Sequence, residues 1–358
     1  MQHTILYFAD YVHANPYQSL LYADIDAVFH SRSGNIEEAC LELQRRASGG
    51  RVIFHLHWED AIYRHLPDEG EARAECRQFL DRLEQFQGDG GRFLWTVHNR
   101  APHDGRYLDI HRELCAKLGS LADQIHLHSH AALEELERDR ELDRDKVTII
   151  PHGNYRPLFP DACPLELAAV DRGRRFLLFG RLGRYKGGAE LLRSFAGLDD
   201  AHARLILAGK QIDPIDLSGV PAVVRARIDV HNRYLCDADL LEVFGEAHFV
   251  VSPYLASLTS GTVLLALSLA RPVIVPRLPT LTELVIDGDN GLLFAPDDPG
   301  ALREALERAS RIDAEAWRRM AGRAFATARR HDPQMIGHLL SGLFHRLLAK
   351  PRVRVRRR

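Results

Sequence analysis

Cysteine is scarce. Only five of the 358 residues are Cys, and none of the five stands in a Cys-x-x-Cys pair. Cys40, Cys76, Cys115, Cys163 and Cys236 are scattered and odd in number, which excludes a disulfide-stapled small domain and suggests reduced thiols. Long apolar runs are also missing: the run at 263–270 is far shorter than the ~20 residues a membrane-spanning helix needs. Residues 1–10 carry neither a basic segment nor a long apolar one, so no secretory signal is expected and a cytoplasmic protein is. There is no G-x-S-x-G and no convincing Ser/His/Asp order, so a hydrolase has little support.

What is present is ordinary globular composition, 46% hydrophobic and 27% charged. The length suggests two domains, each able to bury its own core. The net charge of −2 hides a split. Residues 350–358 hold Lys350, Arg352, Arg354, Arg356, Arg357 and Arg358 and no acid; taking those six charges from −2 leaves −8 for the rest. An acidic body lacks the basic face of a duplex binder, so no nucleic-acid partner is expected. The tail suits an anionic lipid surface at ~1 kcal/mol per basic residue, or is simply a solvated end.

Short apolar runs alternate with amphipathic stretches. Strands are expected at 3–9, 26–31, 51–57, 92–98, 124–128 and 146–151, with helices at 36–47, 71–86, 107–122 and 131–138. The segment 151–164 holds four prolines and reads as a linker. The pattern then restarts, with strands at 175–179, 203–208, 227–232, 248–252, 272–276 and 291–294. Helices are expected at 188–195, 236–244, 260–270, 299–310, 314–329 and 335–349, and a short one beginning at Glu283. This alternation predicts two α/β domains with parallel sheets. In such sheets ligands bind beyond the carboxyl ends of the strands.

Four segments fall at those ends. Gly180-Arg-Leu-Gly-Arg-Tyr-Lys-Gly187 joins a strand to a helix. Its glycines let backbone N–H groups approach an anion, and Arg181, Arg184 and Lys186 can offset phosphate charge. It is neither a Walker loop nor G-x-G-x-x-G. Thr259-Ser260-Gly261-Thr262 precedes an apolar helix, a second place for an anion. His55-Leu-His-Trp-Glu-Asp60 puts His55 and His57 on one strand face. That pair, and the spacing of His126, His128 and His130, could suit a metal, but no further ligand is signposted and none is expected. Thr96-Val-His-Asn-Arg-Ala-Pro-His-Asp104 offers His98, His103 and Asp104 for proton exchange or sugar hydroxyls.

These residues resemble a known family. The two-lobed pattern, the loop Gly180-Arg181…Lys186-Gly187 and the stretch Thr282-Glu283-Leu284…Asp287-Gly-Asp-Asn-Gly-Leu-Leu-Phe294 are similar to GT-B glycosyltransferases that use nucleotide sugars. Asn15-Pro16-Tyr17, His55-Leu-His-Trp58, His152-Gly153…Tyr155-Arg156 and the run Thr259 to Ile274 narrow the likeness. They resemble the bacterial GDP-mannose:glycolipid 4-β-mannosyltransferases of xanthan-type exopolysaccharide assembly.

The resemblance implies two Rossmann-like doubly wound domains facing across a cleft. An acceptor-binding domain is expected at 1–155 and a nucleotide-sugar domain at 165–332, with the helix at 335–349 packing back on the first. It implies a donor site of Gly180, Arg181, Arg184, Lys186, Gly187, Ser260, Gly261, Thr262 and Glu283, with Arg233 and Tyr234 toward the nucleobase. Asn15, His57, Trp58 and Glu59 would lie on the acceptor side. Asp104 or Asp60 would be the base, and His98 would touch the transferred sugar or the acceptor, with His103 beside it. Asp60 stands where those mannosyltransferases carry Glu.

The large retaining GT-B family carries two glutamates eight positions apart before its Gly-x-Pro-Val segment. Here Ser257 and Leu265 hold those places, which agrees with inversion. The expectation is an inverting, metal-independent enzyme with GDP-mannose as donor. Its acceptor would be a glycan or a polyprenyl-diphosphate-linked oligosaccharide, and its basic tail would visit the inner membrane face. A UDP-sugar donor, an inactive sugar-nucleotide binder and a GT-B-fold epimerase remain open.

Overall fold

The computed structural model describes residues 2–13, 15–45, 50–102, 104–162, 164, 166 and 173–349. His103 and the basic tail at 350–358 lie outside them. The chain divides into two compact units, residues 1–153 with 333–358, and residues 154–332.

The first unit holds β1 (His3–Phe8), β2 (Phe29–Ser33), β3 (Val52–Leu56), β4 (Arg92–Thr96), β5 (Gln124–Leu127) and β6 (Val147–Ile149). They form one parallel sheet in the order β2-β1-β3-β4-β5-β6. β3, β4 and β5 are buried along their whole length, as strands covered by helices on both faces must be. Helix Glu69–Gly88 shows why the sequence pattern works. Ala72, Cys76, Phe79, Leu83 and Phe86 recur at steps of four and three and are buried, while the Asp68 carboxylate accepts from the Glu71 N–H at 3.0 Å to start the helix.

Helix Pro333–Ala349 belongs to this unit. Its Ile336, Leu340, Leu343, Phe344, Leu347 and Leu348 pack with Ile5, Tyr17, Tyr22 and Phe29 in one core. Gly337 lets it come close: a Cβ there would meet the Asp24 carbonyl at 2.8 Å.

The second unit holds β7 (Arg175–Phe179), β8 (Arg204–Ala208), β9 (Ile228–His231), β10 (Phe249–Val251), β11 (Val273–Pro276) and β12 (Gly291–Phe294). Its parallel sheet runs β12-β11-β10-β7-β8-β9. The order reverses between β7 and β10, the switch point where doubly wound sheets open a crevice. In the first unit it reverses between β1 and β3.

Departures from expectation include two short helices. A helix at Tyr17–Tyr22 follows a loop that gave no helical signal. Glu283 ends the short helix Pro279–Thr282 rather than beginning one, because Pro279 supplies a fixed φ at the first turn. The boundary between the units falls inside the stretch read as a linker, and the chain is anchored there at Asn154. Its N–H donates to the His331 carbonyl at 2.7 Å and its side-chain amide to the Ala328 carbonyl at 2.8 Å.

Candidate active site

The carboxyl end of β7 runs into the glycine-rich loop. Gly180 has φ of 108° and Gly187 has φ of 70°, conformations that favour glycine. Space is equally strict. A Cβ on Gly187 would lie 2.0 Å from the Pro253 carbonyl oxygen, and one on Gly180 would lie 2.8 Å from Lys186 Nζ.

Lys186 ends the turn Arg184–Lys186 and is buried. Its ammonium donates to the Phe179 carbonyl at 2.8 Å and to Thr262 Oγ1 at 3.1 Å, and lies 5.4 Å above the Tyr254 ring. Among the described residues no carboxylate pairs with it. Burial raises the Tyr254 phenol, but the Lys186 charge and hydrogen bonds to Ser260, Thr262 and Lys186 bring it below its ordinary value.

The helix Gly261–Ser268 starts at the same place. Ser260 caps it, its oxygen accepting from the Val263 N–H at 3.2 Å while its hydroxyl donates to Tyr254 at 3.0 Å. The first-turn N–H groups of such a helix have no acceptor within it and favour an anion. The loop and this helix start therefore meet at the switch point, joined through Lys186 and Thr262. Arg181 and Arg184 are exposed at the loop's rim, Arg184 tied by its backbone N–H to Asp213 at 2.9 Å.

Three donor-side residues stand differently. Arg233 is held in a two-pronged ion pair with Asp239, one arm at 2.7 Å, so its guanidinium is committed within the protein. Tyr234 is 71% exposed on the loop after β9. Glu283 is exposed at the end of its short helix.

In the first unit a cluster of histidines fills the carboxyl ends of β3, β4 and β5. His55, His57, His98, His126, His128 and His152 are all buried. The Tyr22 hydroxyl lies 2.7 Å from His55 Nδ1 and 2.8 Å from His57 Nε2. His57 Nδ1 meets His98 Nε2 at 3.1 Å, and Trp58 stacks on the His98 ring at 4.3 Å and 13°. Thr96 Oγ1 sits between His55 Nε2 at 2.7 Å and His126 Nδ1 at 2.9 Å. Burial pushes His55, His57, His98 and His128 well below the ordinary range, and His126 to about 4.

Asn15 has a local job, its side-chain oxygen accepting from the Tyr17 N–H at 3.1 Å. Asp60 is half-buried beside Arg64 at 3.4 Å. Asp104 is exposed in a turn and accepts from the Arg106 N–H at 3.0 Å.

Glu59 stands deep in the unit. It lies in the turn Glu59–Ile62 after β3, where it is 3% exposed. Its carboxyl accepts from the Trp95 indole at 3.3 Å and faces His111 at 3.8 Å and Cys115 at 3.9 Å. Desolvation raises it to about 7. These three ligand-type groups lie close together. His111, however, spends Nδ1 on Tyr63 at 3.0 Å and Nε2 on the Arg100 carbonyl at 3.3 Å, and the Arg140 cation stands beside Cys115.

The sequence singled out the loop, the helix start and His98. Thr96 heads a flagged segment, but its hydrogen-bonding role, like the parts played by Tyr22 and Tyr254, had no signal there.

Comparison with known proteins fits this geometry. Residues 173–311 match the family model for group 1 glycosyl transferases. A GDP-mannose:glycolipid 4-β-D-mannosyltransferase of Xanthomonas campestris pv. campestris is 30% identical over 279 residues, 76% of this chain and 73% of that protein. Two solved structures share the fold over nearly the whole chain. Sucrose-phosphate synthase from Thermosynechococcus elongatus has a TM-score of 0.65 at 17% identity, covering 98% of this chain and 100% of its own. Anabaena HepE, solved with UDP and glucose, has a TM-score of 0.66 at 13% identity, covering 97% and 100%. With two parallel doubly wound units and these relatives, the chain belongs to the group 1 glycosyltransferases of GT-B fold.

Proposed function

We propose that this glycosyltransferase moves mannose from GDP-mannose, with inversion and without a metal, onto a hydroxyl of a glycan or polyprenyl-diphosphate-linked oligosaccharide. The observation that carries the donor half is Lys186. Its buried ammonium meets the Phe179 carbonyl, the Thr262 hydroxyl and the Tyr254 phenol but, among the described residues, no carboxylate, so the charge has no paired anion. A diphosphate supplies the missing anion, between Lys186 and the first turn of helix Gly261–Ser268, with Arg181 and Arg184 at the rim. The related mannosyltransferase supports mannose and guanosine. Ser257 and Leu265, where a retaining enzyme carries glutamates, support inversion.

On the acceptor side, Asp104 or Asp60 takes the hydroxyl proton while the diphosphate leaves, and His98 touches the sugar or acceptor, flanked by Trp58. Arg233 enters the nucleobase site only by leaving Asp239, so Tyr234 is the better candidate for stacking. The basic tail draws the enzyme to anionic lipid on the inner membrane face. Among the described residues no helix is long and apolar enough to cross a membrane.

The test combines binding and product analysis. Thermal shift with GDP-mannose, GDP, UDP and UDP-glucose, each with and without EDTA, should show stabilisation by the guanosine ligands alone, unchanged by EDTA. Transfer to a lipid-linked acceptor should give a β-mannoside by NMR. UDP-selective stabilisation would overturn the donor, and an α-linked product would overturn inversion. Asp104→Asn and Asp60→Asn should differ, one losing roughly 100- to 10,000-fold in turnover. Two near-normal rates would remove both as base. Deleting residues 351–358 should weaken binding to anionic liposomes at low salt; equal binding would remove the membrane role.

A further inference from the structure

We infer that His126, Thr96, His55, Tyr22 and His57 form a one-way hydrogen-bond relay that fixes the His98 proton on Nε2 and leaves a lone pair on Nδ1, the atom that accepts a hydrogen bond from a substrate hydroxyl. The substrate part rests on the glycosyl-transfer reading above; the relay does not.

The direction follows from the far end. The Ile150 carbonyl can only accept, so His126 Nε2, 2.8 Å away, carries a proton. A neutral ring has one, so His126 Nδ1 is a lone pair and the Thr96 hydroxyl donates to it at 2.9 Å. Thr96 has no second proton, so His55 Nε2 donates to it at 2.7 Å. His55 Nδ1 is then a lone pair and receives the Tyr22 O–H at 2.7 Å. Tyr22 has spent its proton, so His57 Nε2 donates to its oxygen at 2.8 Å. His57 Nδ1 accepts from His98 Nε2 at 3.1 Å. His98 Nδ1 is left bare.

Each ring must be neutral for this logic, and burial from water favours that at His55, His57, His98 and His126. Reversing any bond would require a doubly protonated, charged ring or two lone pairs facing each other. The anchor is doubly used: His128 Nδ1 also donates to the Ile150 carbonyl at 3.2 Å, and its Nε2 takes the Tyr17 hydroxyl at 3.3 Å. Among the described residues nothing donates to His98 Nδ1. Trp58, stacked on the ring, holds its plane. Tyr22, Thr96 and His126 touch no substrate; they are positioning residues that act through His98.

The test reads the tautomer directly. Nitrogen NMR of the full-length protein with labelled histidine should show His98 with a protonated Nε2 and a bare Nδ1. Thr96→Val cuts the relay from its anchor, and Tyr22→Phe cuts it between His55 and His57. Each should give mixed His98 tautomers and a kcat at least ~10-fold lower, with KM for GDP-mannose unchanged. Thr96→Ser keeps the hydroxyl and should restore both. A wild-type His98 protonated on Nδ1, or unaltered tautomer and kcat in both cut variants, would overturn the relay. The expected tautomer in an enzyme that transfers no mannose would support the relay and overturn the donor reading instead.

Discussion

At the residue scale, the sharpest features are a cation without an anion and two glycines without room. Lys186 is 4% exposed, hydrogen-bonded to Phe179 and Thr262 beside the Tyr254 phenol, and among the described residues no carboxylate pairs with it. A Lys186→Met variant should lose the thermal shift given by GDP-mannose yet keep the apo Tm within a few degrees, because a buried unpaired charge adds little to stability. A large fall in apo Tm together with retained donor binding would contradict this. Gly187→Ala should fold poorly, since its Cβ would sit 2.0 Å from a backbone oxygen that cannot swing aside. The sequence made the loop legible because glycine and basic residues at a strand end have few other uses. It did not make the histidines legible. Whether a histidine is a surface ligand or one link of a buried chain depends on what the neighbouring strands stack above it. Tyr22 and Thr96 are distant in sequence and are linked through His55, to which each hydrogen-bonds. The burial of Glu59 was hidden for a related reason: strand alternation ends at Leu56, and the turn that follows sets a new direction.

At the element scale, strands buried on both faces were readable as apolar runs, and long helices as periodic ones. The helix Tyr17–Tyr22 was not, because six residues after a proline give too little periodicity and its start has no side-chain cap. Tertiary burial of Tyr17, Leu21 and Tyr22 makes it a helix. Arg271 shows another role hidden in sequence. Fully buried after helix Gly261–Ser268, it donates to the carbonyls of Phe244 at 2.6 Å and Leu269 at 3.2 Å, closing the ends of two helices. Burial lowers its guanidinium to about 10. Arg271→Leu strands those carbonyls and should cost about 3 kcal/mol in urea unfolding. Phe344→Ala, in the last helix, should cost about 3–5 kcal/mol by opening a cavity in the first unit's core. A loss below 1 kcal/mol for either would contradict the packing described.

At the scale of the whole molecule, the buried histidines make stability depend on pH. His55, His57, His98 and His128 are held well below the ordinary value, and His111, His126 and His248 near 4, in each case by burial first. The unfolded chain takes up these protons near pH 6.5 and the folded one does not. Their contribution is therefore present above pH 6.5 and lost as pH falls toward 4, each histidine adding up to ~1.4 kcal/mol per pH unit. Glu59, raised to about 7, runs the other way, its cost growing from pH 4.5 to 7. Urea titrations should therefore show several kcal/mol lost between pH 7 and 5, and a flat profile would refute neutral burial. The path of the chain has a further consequence, for synthesis. The second unit is continuous, residues 154–332, whereas the first needs residues 333–349 to finish its core. On the ribosome, then, the later unit can fold before the earlier one is complete. A nascent chain stopped at 332 should yield a protease-resistant second unit beside a first unit that is still digestible, so the amino-terminal half waits longest for its last helix.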